Sequence, residues 1–132
     1  MHTFETVMAS AGVEIPAHLE AQAEIPVLAG LQRQGDLIVV PVKPSAKPGV
    51  PIPAEGIAVV RGEATGNTHL LVGDGTWAAV EARGLDCGVV TVPEGGTAFL
   101  LHREHGAQGF APGAYLVRRQ REQADEIRTV AD

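Results

Sequence analysis

Little in this chain of 132 residues can be oxidised or stacked. It has one cysteine, Cys87, so no disulfide can form within it. Aromatic residues make up 4% of the sequence, which leaves Val, Leu, Ile and Ala to build a core. Neither an apolar run of about 18 residues nor a charged-then-apolar leader is found, so a membrane partner is not expected and the expected location is the cytoplasm. Release by lysis, as in a virion, is compatible with the same absence. Positive charge is also short: 10 Lys and Arg stand against 16 Asp and Glu, for a net charge of -6. A protein that neutralises a phosphate backbone needs clustered cations, so nucleic acid is not an expected partner. Arg118, Arg119 and Arg121 come close together, but Glu122, Asp125 and Glu126 follow at once, as in a solvated, salt-bridged edge.

A complete catalytic motif is missing as well. The serines, Ser10 and Ser45, lack the strand-turn-helix setting of a nucleophile elbow. Cys87 stands beside Asp86 and before an apolar run, surroundings that raise a thiol pKa and suit a structural role. The stretch Gly73-Asp74-Gly75-Thr76-Trp77-Ala78 fits the spacing of a dinucleotide turn, but that turn must open a helix to hold pyrophosphate, and a strand-like run follows. No cofactor is expected there.

What is present is β-structure. Gly 16 and Pro 9 supply chain reversals. Between them lie strand-like runs at 37–42, 57–63, 69–72, 77–81, 88–92, 97–103 and 114–121. About seven short strands predict an all-β body, a compact sandwich or barrel. Leu37, Val39, Val59, Leu71, Val80, Val90, Leu100 and Leu116 are expected to line its core. Gly66, Gly73, Gly75, Gly95 and Gly113 are expected at turns, with Gly73-Asp74-Gly75 reading as a tight hairpin. The prolines at 41, 44, 48, 51 and 53, with Lys43 and Lys47, rule out a central strand and predict an exposed loop.

Ahead of this body, Phe4, Val7, Met8 and Ala11 recur at helical spacing, with Thr3 placed to cap the start and Gly12 to end the turn. A second helical piece is expected at 16–24, and one or two helical turns at 123–132. Residues 1–30 thus read as an N-terminal helical arm and 31–132 as a single β-rich domain.

The histidines carry the most chemistry. His102-Arg103-Glu104-His105 ends one apolar run and His69 starts another. Residues two apart on a strand share a face, so His102 and Glu104 would point the same way. With His69 on a neighbouring strand, two imidazoles and a carboxylate make a facial set for a divalent transition metal; a chain that leaves the strand at Glu104 brings in His105 instead. Hydrogen-bonded rim histidines near a turn are the plainer alternative.

The segments Gln34-Gly35-Asp36, Gly62-Glu63-Ala64-Thr65-Gly66, His102-Arg103-Glu104-His105, Gly113-Ala114-Tyr115, Arg119-Gln120-Arg121-Glu122 and Val130-Ala131-Asp132 together resemble, in order and spacing, a family of small, uncharacterised bacterial β-rich proteins, over about residues 34–132. That resemblance implies a His at the position of Asn67, where this chain departs from the pattern. It implies no activity. The form, a β body with two extensions, leads to the expectation of a non-catalytic structural or assembly protein. It would work as a homo-oligomer within a larger protein assembly, a capsid decoration or minor capsid protein among the candidates. The alternative is a metal-binding small barrel or metal-dependent enzyme using His69, His102, Glu104 and His105.

Overall fold

The computed structural model of the protein describes residues 2–13, 24–44, 49–60, 68–80 and 85–120. The helical turns expected at 123–132, Gly66 and all but the last residue of the helical piece expected at 16–24 lie outside them.

The helix α1 (Phe4–Ser10) forms where its apolar spacing and cap predict it. Thr6 donates its backbone N–H to the Thr3 hydroxyl at 3.1 Å, and the Thr6 hydroxyl accepts from the Thr3 N–H at 3.0 Å, so two otherwise orphaned amides are satisfied reciprocally. Gly12, with φ of 73°, ends it.

Strands follow as β1 (Val27–Leu28), β2 (Gln32–Gln34), β3 (Leu37–Val42), β4 (Val50–Pro51), β5 (Ile57–Ala58), β6 (Leu70–Gly73), β7 (Thr76–Ala79), β8 (Asp86–Val92), β9 (Ala98–His102), β10 (Gly106–Phe110) and β11 (Gly113–Arg119). They make two sheets among the described residues, in the orders β1-β10-β9-β6-β5 and β2-β3-β11-β8-β7-β4. The molecule is an all-β sandwich, with one short helix, near its start, among the described residues. Between the sheets, Leu37, Val39, Trp77, Val90, Tyr115 and Val117 of the larger sheet meet Leu71, Leu100 and Phe110 of the smaller. The outer face of the smaller sheet is covered in turn. Val72, Phe99, Leu101 and Ala107 pack there with Ile25 and Met8, and Met8 of α1 is completely buried.

Several local expectations need correction. Gly73-Asp74-Gly75 is a turn but not a hairpin: β6 pairs with β5 and β9, whereas β7 pairs with β8 and β4, so the chain crosses between sheets there. Residues 93–97 make a second crossing, and Asp74 ties the two, its N–H donating to Thr97 O and its carboxylate accepting from Thr97 N at 3.1 Å. At Gly73 and Gly75 φ is positive and an added Cβ would lie 2.6 Å from Thr97 O and 2.1 Å from Thr91 O, so both must be glycine. The crossing from β10 to β11 is closed by the Tyr115 hydroxyl, which donates to Ala111 O at 2.6 Å. Gly106–Phe110, which has no β-branched residue, is nonetheless a strand, because the three-residue turn before it lays it along β9. Val80, expected in the core, lies beyond the end of β7 and is exposed. Leu116 is half-buried, since Tyr115 and Val117 take the inward positions of β11.

Candidate functional site

Most of the inter-sheet core is apolar, but one end of it is polar. The alternation of side chains sends Ala98 and Leu100 of β9 inward, and His102 comes next on that face. On β6 the inward residue is Leu71, two places after His69. The register pairs Leu71 with Leu100 and Leu70 with Leu101, which brings His69 opposite His102. Both imidazoles are buried, at 3% and 5% exposure, with ring centroids 4.4 Å apart. His105, exposed on the turn after β9, extends the row with a centroid 4.6 Å from that of His102.

The turn between β2 and β3 closes this end of the core. Gln34 and Leu37 are partners across it, with Gly35 and Asp36 as its two central residues. Gly35 has φ of 58°, and an added Cβ would come within 2.9 Å of the His105 ring, so the glycine provides both the turn and the space for that imidazole. Gln34 is buried and reaches across to the other sheet, where its amide nitrogen donates to Leu100 O at 2.8 Å. Because that carbonyl can only accept, the amide orientation is fixed and Gln34 Oε1 faces His69 Nδ1 at 2.9 Å. Nδ1 must therefore carry the proton, and in the neutral ring Nε2 is the acceptor. It lies 3.4 Å from Asp36 Oδ1. The other carboxylate oxygen of Asp36 is 3.7 Å from Arg119 Nε, and the Asp36 carbonyl accepts from Gln120 N at 2.7 Å, so the turn is tied to the end of β11.

The two buried histidines have different work. His102 Nδ1 accepts backbone N–H groups from Glu104 at 3.1 Å and His105 at 3.2 Å, holding the turn that starts β10. The neutral ring then carries its proton on Nε2. His69 is held by Gln34 on one side and faces a carboxylate on the other. Burial, with His102 nearby, lowers its pKa from 6.5 to about 4, against the opposing pull of Asp36.

Of the residues singled out from the sequence, the structure brings His69, His102 and His105 into one row. β9 ends at His102, so Glu104 falls on the exposed turn and its backbone, through the N–H, meets His102. Among the described residues no three His, Cys, Asp or Glu side chains are arranged to hold a metal ion. Gln34 and Asp36 had been legible only as part of a motif. Cys87 is half-buried, with its thiol 3.8 Å from Leu85 O. A separate cavity of about 370 Å³, lined by His2, Thr6, Val7, Val72 and Phe99, lies between α1 and the outer face of the smaller sheet, away from the histidine row.

The family described as a domain of unknown function, DUF8820, matches residues 33–120. The chain belongs to this family. The DUF8820 segment takes in the histidine row and the Gln34-Gly35-Asp36 turn, and leaves α1 and β1 outside it. Comparison with curated proteins and with solved structures finds no match.

Proposed function

We propose that this protein is a non-catalytic assembly subunit that joins copies of itself through an open sheet edge. The observation that carries this reading is β1. It is the end strand of the smaller sheet, paired with β10 on one side, and no described strand pairs with its other side. Val27 and Leu28 on it, and Leu31 just beyond, are exposed at 39%, 49% and 61%. An uncovered strand edge offers a row of backbone donors and acceptors for another strand, and natural monomers blunt such edges with charge or proline. Here the edge is short and Pro26 stands before it, but the exposed apolar side chains of Val27, Leu28 and Leu31 flank it, which suits burial against a partner.

A protomer of this kind fits a cytoplasmic or virion assembly, of which a capsid decoration or minor capsid protein is one form. The order of the Gln34-Gly35-Asp36, His102-Arg103-Glu104-His105 and Gly113-Ala114-Tyr115 motifs supports placing it among small bacterial β-rich proteins. Native mass spectrometry of the full chain tests the reading. The wild type is expected as a dimer or larger ring, and Leu28→Glu combined with Leu31→Glu, both at exposed positions, as a folded monomer. A wild type that stays monomeric at every concentration, or a double variant that assembles normally, would sink it.

A further inference from the structure

We propose that His102 is an acid-released latch. Its imidazole holds the turn at residues 103–105 closed while Nδ1 is free of a proton, and a second proton on the ring lets the turn, and with it the polar end of the core, come open.

The latch uses a histidine where a turn ordinarily uses an asparagine or aspartate. Nδ1 of an imidazole stands at the same distance along the side chain as Oδ1 of Asn, the atom that closes turns by accepting nearby backbone amides. Here His102 Nδ1 accepts from Glu104 N at 3.1 Å and from His105 N at 3.2 Å. A backbone amide can only donate, so both contacts require a bare lone pair on Nδ1, and the neutral ring provides it with its proton on Nε2. An imidazolium carries an N–H at each nitrogen and has no lone pair left for an amide. Asn in this place would hold the turn at any pH; histidine holds it only when neutral.

The surroundings reinforce that dependence. The His102 ring is buried, with the ring of His69 at 4.4 Å and that of His105 at 4.6 Å, so a charge placed on it has little water and two imidazoles beside it. Among the described residues, the charged and titratable groups about the latch are His69 from β6, Arg103, Glu104 and His105 from the turn itself, and Asp36 with Arg119 on the side of His69. The His105 ring also fills the space left at Gly35 in the turn between β2 and β3. A 103–105 turn that swings away therefore takes with it the side chain that packs against Gly35, and the end of the sandwich opens.

Only the open turn accepts a proton at Nδ1, so opening takes up one proton. The latch is at full strength above about pH 6.5, the ordinary value of a solvated imidazole, and below it the open fraction is expected to rise by up to about tenfold for each pH unit.

The test is amide hydrogen exchange of the full-length protein followed by NMR between about pH 7 and about pH 5, each rate divided by the unprotected rate at the same pH, alongside nitrogen NMR of the histidine rings. Protection of the Glu104 and His105 amides is expected to fall together as the His102 ring gains its second proton. His102→Asn, which keeps an acceptor at the same place but cannot titrate, is expected to stay protected throughout, and His105→Gln, changed at an exposed ring, to release as the wild type does. Should His102→Asn not fold, the wild-type ring and amide curves decide alone, since they must move together. Wild-type amides equally protected at both ends of the interval, an acid release in His102→Asn that matches the wild type, or a proton already on His102 Nδ1 at neutral pH would each overturn the assignment.

Discussion

The two sheets of this sandwich live in different surroundings, and their sequences show it. The smaller sheet is covered on both faces, by the larger sheet on one side and by α1 with Ile25 on the other. All five residues of β9, Ala-Phe-Leu-Leu-His, are accordingly buried. Among the described residues the larger sheet has the core on one face only, so β3 over residues 37–40 and β8 over residues 88–92 alternate between buried and half-buried positions. A strand enclosed on both sides tolerates no polar residue unless it is hydrogen-bonded, whereas a one-sided strand can place one on every second position. His102 is the residue at which β9 meets that condition: its Nδ1 is taken by two turn amides.

The sharpest way to break this comparison is a matched pair of truncations. Leu101, fully buried beneath the helix, changed to Ala is expected to lower unfolding free energy by roughly 2–5 kcal/mol, because the cavity is walled on both sides. Leu116, half-buried on the outer face of β11, changed to Ala is expected to cost less than about 1 kcal/mol. Urea denaturation measures both. Equal losses would mean that the outer face of the larger sheet is covered in solution, as a second copy of the chain would cover it.

The same contrast explains what could be read in advance. The β-branched run at 37–42 and the capped helix were legible because both are local: β3 needs Val and Ile, and α1 needs Thr3, its apolar spacing and Gly12. The glycine turns were legible as turns, since φ at Gly73, Gly75, Gly95 and Gly113 is positive, but not in direction. A turn sequence specifies backbone angles and not which sheet the next strand joins, so the crossing at 73–75 read as a hairpin. β10 was illegible because its pairing comes from β9 and not from its own Gly-Ala-Gln-Gly-Phe. At the site, His69 and His102 were readable as neighbours once their strands pair. Gln34 and Asp36 were not, because their role depends on β2 lying against β9, a contact between sheets 66 residues apart in the chain.

A second prediction uses the buried end of the smaller sheet. His69 is held near a pKa of about 4 in the folded protein against 6.5 unfolded, so between those values the unfolded chain binds more protons. Stability linked to this group is therefore intact above pH 6.5 and is lost as pH falls toward 4, by up to about 3 kcal/mol. Carboxylates add their own acid dependence, so the measurement is the difference in slope between the wild type and His69→Phe, in metal-free buffer. The variant is expected to show the shallower loss over that window. Identical slopes would mean that the buried imidazole does not titrate with the shift its surroundings impose.

A smaller effect than these losses at buried side chains should come from the cover itself. Thr3→Ala removes the hydroxyl that accepts from Thr6 N and leaves that amide without its cap, at an expected cost of about 1 kcal/mol. The loss is local, yet α1 is the element that makes the smaller sheet two-sided, with Met8 as its buried contact. Hydrogen exchange should therefore quicken in α1 and in β9 and β10 beneath it, while β3 and β11 of the larger sheet keep their protection. Uniform quickening in both sheets would show that the helix and the whole sandwich open as one unit, and that the difference between the sheets is one of burial and not of stability.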